Sequence, residues 1–132
     1  MVKVVDASVV VNALTPGPRR EASLAEMLDA DLLAAPALID AEVLSSLARL
    51  ERSGRLSAVE ARFAVEDWAA LPIERFELPP LLAEVWSMRH NASLADAFYA
   101  ALAIGLDCPL ITSDGRLSRA PIRGLTTILV SE

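Results

Sequence analysis

Short apolar runs alternate with longer segments of helical periodicity along the chain, and this alternation constrains the fold more than any other feature of the sequence. The runs are rich in branched apolar residues and too short for helices, so they predict strands. The predicted strands are residues 1–5, 31–35, 73–78, 109–112 and 125–130. The predicted helices are residues 8–14, 21–29, 38–52, 57–70, 79–90 and 94–106. This order predicts an α/β fold with three α/β/α layers and a mostly parallel central sheet.

The length and composition are those of one compact domain, which we expect to comprise residues 1–132. Cys108 and His90 are the only cysteine and histidine, so the chain forms neither an internal disulfide nor a Cys/His zinc cluster. The longest uncharged apolar run, residues 97–106, is shorter than the roughly 20 residues that span a bilayer. We therefore expect a cytoplasmic protein without a membrane segment.

Four carboxylates stand where carboxylates are poorly tolerated. Asp6 and Asp114 each follow an apolar run that predicts a strand, and in parallel sheets the carboxyl ends of the strands are where ligands bind. Glu42 and Asp96 lie on apolar helices, and neither has a Lys or Arg three or four residues away. Neither is therefore explained as half of a helical ion pair.

Each of these residues also has a purely structural interpretation, which is the better one for any residue taken alone. Asp6 can cap the helix that follows it, and Asp114 with Gly115 forms a common turn dipeptide. Asp96 stands three residues after a serine, as in a capping box, and Glu42 suits the first turn of a helix. Asp40 is more simply interpreted as solvated, and His90 as a residue at a helix end. The functional interpretation depends on the four carboxylates together.

The whole pattern resembles the PIN-domain family, and within it the VapC-type toxins of bacterial toxin–antitoxin modules. The resemblance is carried by four motifs in order: VVDAS at 4–8 with Asn12, PALIDAEV at 36–43, LADAFYAALA at 94–103 and LITSDGRL at 110–117. It implies an acidic quartet that is both catalytic and metal-binding, namely Asp6, Glu42, Asp96 and Asp114. It further implies supporting polar groups at Ser8, Asn12, Thr112 and Ser113.

Four converging carboxylates repel one another unless a divalent cation is present, and oxygen ligands select Mg²⁺, with Mn²⁺ able to substitute. Such an ion can activate a water molecule for hydrolysis of a phosphodiester. The resemblance implies an endoribonuclease toxin that is held in check by a cognate VapB-type antitoxin. The exposed parts of residues 38–70 are candidates for the antitoxin groove or for a homodimer face.

The net charge of −6 argues against a protein that coats nucleic acid without specificity, so an RNA substrate needs local positive charge. Nearly all of the positive charge is arginine, and the arginines are clustered. Those that can hold flanking phosphates are Arg19, Arg20, Arg49, Arg116, Arg119 and Arg123. Trp68 and Trp86 lie on helices among apolar neighbours, which favours the core over base stacking for both.

Two rival functions remain. A receiver or phosphatase-like domain, in which an aspartate after a strand takes up phosphate, needs an additional acid near Asp6 and a lysine after a late strand, and the chain has neither. A catalytically silent PIN-like module that only binds another protein is compatible with the same sequence.

Overall fold

The computed structural model describes residues 1–131, so the last residue of the predicted domain, Glu132, lies outside the described part. Its five strands form one sheet in the order β3-β2-β1-β4-β5, and every neighbouring pair is parallel. The strands are β1 (Val2–Val5), β2 (Leu32–Pro36), β3 (Glu74–Phe76), β4 (Leu110–Thr112) and β5 (Thr127–Leu129). The predicted α/β class is confirmed, and the sheet is parallel throughout.

Within residues 1–131, seven α-helices cover the sheet. They are α1 (Ala7–Leu14), α2 (Arg20–Asp29), α3 (Ile39–Arg52), α4 (Ala58–Ala70), α5 (Leu82–Ser87), α6 (Leu94–Gly105) and α7 (Gly115–Ser118). Helix α1 packs on α2 and α3, and α3 packs on α4, whereas α5 packs on α6. Right-handed crossovers place α1 to α4 on one face of the sheet and α5 to α7 on the other, because the chain reverses direction across the sheet after β3. The α/β/α layering follows.

The region predicted as one helix over residues 79–90 is shorter and irregular. Pro79–Leu81 forms a single 3₁₀ turn, because two consecutive prolines lack the N–H groups that a helix uses. After α5 the amide of Met88 donates to the carbonyl of Val85, a tighter bond than that of an α-helix, and the chain then turns. His90 is exposed in this turn. Helix α7 was not predicted, since four residues are too few to show a periodicity.

The core lies between the sheet and α1, α3, α4 and α6. The strand residues Val4, Val5, Leu110 and Ile111 are fully buried. Lys3 is also buried, and its ammonium group pairs with two carboxylates of α2, Glu26 at 3.0 Å and Asp29 at 2.9 Å. Burial alone lowers the pKa of Lys3, but the two hydrogen bonds outweigh it and leave the pKa above its ordinary value. The lysine therefore stays charged inside the fold.

The two tryptophans differ. Trp68 is 2% exposed and belongs to the core, as predicted. The core prediction for Trp86 is wrong, because its side chain is 60% exposed. The short helix α5 turns only Val85 inward, and the guanidinium of Arg89 lies 4.7 Å from the centre of the Trp86 ring. Among the helices of residues 1–131, none has the length and apolar character needed to cross a bilayer.

Candidate active site

Strands β1 and β4 are neighbours in the sheet, and the order in which the chain adds strands reverses between them. From β1 the chain builds outward to β2 and β3, and it then returns to form β4 and β5 on the other side. The crevice at the carboxyl ends of two such strands is the usual ligand site of an open parallel sheet. Asp6 directly follows β1 and Asp114 lies two residues after β4. The amide of Asp6 donates to the carbonyl of Ile111 at 3.1 Å, which fixes the two strand ends side by side.

All four predicted carboxylates lie at the start of a helix. Asp6 is the N-cap of α1 and Asp114 is the N-cap of α7, while Glu42 and Asp96 lie in the first turns of α3 and α6. Helices that connect parallel strands run antiparallel to them, so these helices begin at the carboxyl edge of the sheet. A helix N-terminus also favours negative charge. The fold thus brings the four carboxylates to one edge.

Asp6 is the most enclosed of the four, with 5% of its surface exposed. Its Oδ1 accepts hydrogen bonds from Ser8 Oγ at 2.5 Å and from the amide of Val9 at 3.2 Å. Burial nevertheless raises the pKa of Asp6, and the negative charge of Asp96 adds to that shift. Asp6 therefore caps α1, as the structural interpretation predicts, and it also carries a negative charge that burial disfavours.

Asp96 faces Asp114 across a cleft of about 300 Å³ that Ser93, Asn91 and Arg116 also line. Ser93 Oγ accepts from the amide of Asp96 at 3.2 Å, so the serine caps α6. The side chain of Asp96 returns no bond to the backbone of Ser93 among the described contacts, and the predicted capping box is only half present. Burial raises the pKa of Asp96, and the charge of Asp114 raises it further. Hydrogen bonding with Ser93 and the positive charge of Arg116 act on this pKa in the opposite direction.

Glu42 has a partner that sequence analysis missed. The hydroxyl of Tyr99, on α6, donates to Glu42 Oε1 at 2.5 Å, and Tyr99 itself is only 1% exposed. Burial raises the pKa of Tyr99 far above its ordinary value, and the charges of Glu42 and Asp6 raise it further. Tyr99 therefore connects α3 and α6 at the acidic edge. One signal was available, since it is the only tyrosine and lies one helical turn after Asp96.

The four predicted supporting residues form one network around the strand ends. Ser8 Oγ donates to Asp6 and accepts from the amide of Ser113 at 3.2 Å. Asn12 Nδ2 donates to Ser113 Oγ at 3.1 Å, and Thr112 Oγ1 accepts from the amide of Asp114 at 3.0 Å. The network holds α1 against the loop after β4.

The model of the PIN domain family matches residues 3–122. The chain belongs to the PIN-domain family. Ribonuclease VapC1 of Mycobacterium tuberculosis is 41% identical over 119 residues, which cover 89% of this chain and 90% of that protein. VapC ribonuclease Mb0985 of Mycobacterium bovis is 38% identical over 115 residues, 87% of each chain.

A solved structure described as VapBC2 from Rickettsia felis bound to a DNA fragment from their promoter has the same fold. The TM-score is 0.72 at 14% identity, over 99% of this chain and 100% of that one. At this identity the likeness concerns the fold alone. It agrees with the parallel sheet and helix order of this PIN domain.

No ion pair within residues 1–131 involves any of the four carboxylates of this PIN domain. Asp40, two residues before Glu42, does form an ion pair, with Arg75. Its oxygens accept from Arg75 Nε at 2.7 Å and from Trp68 Nε1 at 2.8 Å, and 46% of its side chain is exposed, so Asp40 is solvated in part and also paired. The hydrogen bond from Arg75 lowers the pKa of Asp40. Arg75 therefore pairs with Asp40, whereas no ion pair of Glu42 is present in the described part of the chain.

The donor set suits a hard divalent cation. In residues 1–131 no three His, Cys, Asp or Glu side chains lie close enough to enclose an ion as they stand. Facing carboxylates repel one another unless a positive charge lies between them. Burial is the main cause of the raised pKa values of Asp6 and Asp96, and repulsion from a neighbouring carboxylate adds to both. A set of oxygen donors only, none of them in an ion pair within the described part of the chain, fits Mg²⁺ or Mn²⁺.

The predicted arginines do not all lie near this edge. Arg19 and Arg49 line a cleft together with Ser8, Asn12 and Asp114, Arg116 lines the Asp96 cleft, and Arg20 lines an adjoining hollow. The guanidinium of Arg119 lies back over Gly115, where an added Cβ would stand 2.8 Å from its Nη1. Arg123 is exposed beyond these clefts. Arg55, which was not selected from the sequence, lines the same cleft as Arg19.

Proposed function

We propose that this PIN domain, as one nuclease domain over residues 1–132, is a Mg²⁺-dependent endoribonuclease and the toxin of a toxin–antitoxin pair. The metal ligands are Asp6, Glu42, Asp96 and Asp114, and Mn²⁺ substitutes for Mg²⁺. The observation that carries the proposal is the position of four carboxylates, none of them in an ion pair within residues 1–131, at the edge of the sheet where the strand order reverses. The identity of 41% to ribonuclease VapC1 supports the reaction class.

The bound cation supplies Lewis acidity, which makes water a stronger nucleophile and offsets the negative charge on the phosphate oxygens. Hydrogen bonds within the protein orient the carboxylates that would hold the cation. Ser8 and the amide of Val9 both donate to Asp6 Oδ1, which fixes the orientation in which this carboxylate would hold the metal. Tyr99 holds Glu42 in the same way. In metal sites generally, removal of such a hydrogen bond to a ligand weakens metal binding by about 10- to 100-fold.

The substrate is RNA, and the arginines at the edge bind its phosphates. Arg19, Arg20, Arg49 and Arg116 line the clefts beside the carboxylates, whereas Arg119 and Arg123 were selected from sequence clustering alone. Their guanidinium groups suit bidentate phosphate recognition. An RNA-cleaving protein of this kind acts in the cytoplasm, where its substrate is found.

The proposed protein partner is a VapB-type antitoxin. It silences the nuclease by placing an Arg or Lys among the four carboxylates, where the cation competes with the metal. Helices α3 and α4 expose Leu44, Val59 and Phe63, which makes this surface the candidate for the antitoxin helix or for a homodimer. The relatives named VapC and the fold shared with a VapBC structure support the pairing.

Metal-dependent cleavage by the purified chain tests the function. With Mg²⁺ the protein should cut single-stranded RNA, and EDTA should abolish the cleavage. Asp96→Asn should lower the rate on the order of 100-fold or more, whereas Asp67→Asn, an exposed change on α4, should leave it unchanged. Absence of cleavage at any Mg²⁺ or Mn²⁺ concentration, with normal growth of cells that express the chain alone, would favour the silent binding module.

A further inference from the structure

Trp86 is the most exposed aromatic side chain within residues 1–131, with 60% of its surface accessible to water. The inward side of α5 is formed by Val85, which packs with Met88 and with Ala97 of α6 in one apolar cluster. Trp86 lies outside that cluster, so the packing of the fold does not account for an indole at this position. Base stacking, which the apolar sequence context disfavoured, is therefore open to Trp86.

The guanidinium of Arg89 is stacked on this indole. It lies 4.7 Å from the centre of the Trp86 ring, and its Nη1 donates to the carbonyl of Trp86 at 2.9 Å. Arg89 forms no ion pair within the described part of the chain, so the tryptophan and not a carboxylate holds its charge in place. The pair presents two flat groups of the kinds on which unpaired bases stack.

The stacked pair stands beside the acidic cleft. Residues 91–93 line that cleft together with Asp96, and they follow α5 directly. The amide of Asn91 donates to the carbonyl of Met88, a three-residue bond that keeps the connecting segment in a tight turn. A chain in such a turn advances about 2 Å per residue, so about 10 Å of backbone separates Trp86 from the rim of the cleft. A base next to the cut phosphodiester is thus within reach of the indole.

We propose that Trp86, with Arg89 stacked on it, is a platform for one unpaired nucleobase of the RNA, close to the phosphodiester that is cut. The inference rests on the proposed nuclease function and deepens it by naming a residue that selects unpaired RNA and sets the register of the strand. A base inside a duplex is already covered on both faces, so only an unpaired base can stack on the indole. Because every base has a flat face, this contact selects single strands and not a particular base.

A second copy of the chain is the alternative occupant of this face. It is favoured by two exposed leucines, Leu82 on α5 and Leu94 at the start of α6. The charge of Arg89 opposes it, because a dry protein interface would have to provide a counter-charge for the guanidinium. A stacked base covers one flat face of the pair and leaves the edge of the guanidinium in water. The observations therefore favour the nucleobase.

The first test measures RNA binding without cleavage. A short fluorescein-labelled single-stranded RNA of mixed sequence is titrated with protein in EDTA at several salt concentrations. Trp86→Ala should bind about 10-fold more weakly, with the same slope of log affinity against log salt as the wild type, because a stacked base and no phosphate contact is lost. Trp86→Phe, which keeps a ring, should regain most of the affinity. The matched control Phe63→Ala removes another exposed ring that carries a stacked arginine, on α4, and should bind like the wild type.

The second test locates the base. In a series of the same RNA, each member lacks the base of one nucleotide but keeps its phosphate. One such loss should weaken binding to the wild type about 10-fold and should have no further effect on Trp86→Ala, since the two changes remove the same contact. In Mg²⁺, Trp86→Ala should raise KM about 10-fold with kcat changed less than about twofold, because the contact is equal in the bound substrate and the transition state.

The outcomes separate the platform from the nuclease itself. If the wild type cleaves RNA and Trp86→Ala keeps its affinity and KM, the platform is wrong and the nuclease stands. The platform is also wrong if Trp86→Ala converts a sedimenting dimer to a monomer and no base in the series depends on Trp86, since the face then binds a second copy. Calorimetric Mn²⁺ binding should be equal in wild type and Trp86→Ala, which shows that the acidic site is intact. If the wild type neither binds nor cuts RNA, the proposed function fails and the platform fails with it.

Discussion

Removing one oxygen atom from Tyr99 tests whether the acidic edge is pre-organised as the geometry indicates. In Tyr99→Phe the ring stays, so no cavity forms in the core, and the hydrogen bond to Glu42 Oε1 is lost. A hydrogen bond to a charged group contributes about 1.5 to 3 kcal/mol. Because Glu42 is only half-buried and water can replace part of the bond, we expect a loss near the lower end, about 1.5 kcal/mol.

The assay is urea denaturation in EDTA, read out by tryptophan fluorescence, combined with a double-mutant cycle. Tyr99→Phe should lower the free energy of unfolding by about 1.5 kcal/mol in the wild-type background and by much less in a Glu42→Gln background. The cycle isolates the bond between the two side chains. A Tyr99→Phe variant within about 0.5 kcal/mol of the wild type, with no coupling to Glu42, would refute the pre-organised contact.

Three further substitutions test the charges and one helix cap of the fold. In EDTA, Asp96→Asn should melt at or above the wild-type temperature, because it removes repulsion from Asp6 and Asp114, whereas Ser93→Ala should cost about 1 kcal/mol because that serine caps α6. Thermal melts of both variants check this, and a clear drop for Asp96→Asn would contradict it. The hydrogen bond from Lys3 lowers the pKa of Asp29 below 3.8, so its contribution to stability is complete above that pH and disappears as the pH falls through the lower folded value. Melting temperatures between pH 6 and pH 3 should therefore fall less steeply for Asp29→Asn than for the wild type.

Much of the fold was predictable because its signals are local. Runs such as Val2–Val5 and Leu110–Thr112 are short, mainly apolar and followed within two residues by a carboxylate, which indicates a buried parallel strand and its carboxyl end. The site prediction used the same signal, since the ends of parallel strands meet at one edge. The prediction was wrong where the pattern is weak. Residues 79–90 were predicted as one helix, but two prolines shorten it.

The missed features depend on contacts between distant parts of the chain. Tyr99 and Glu42 are 57 positions apart, and Arg75 and Asp40 are 35 apart, so no local spacing indicates either pair. Arg55 joins Arg19 only through the packing of the loop after α3 against the loop before α2. The outward direction of Trp86 likewise follows from the brevity of α5, which turns a single residue to the core.

Titration of the purified protein with Mn²⁺ in a calorimeter tests the central claim most directly, because it measures the cation site without requiring an RNA substrate. Asp6→Asn and Asp96→Asn should each weaken Mn²⁺ binding strongly, on the order of 10-fold or more, while the exposed control Asp67→Asn binds like the wild type. Equal Mn²⁺ affinity in the wild type and in both site variants would contradict a shared metal site at this edge.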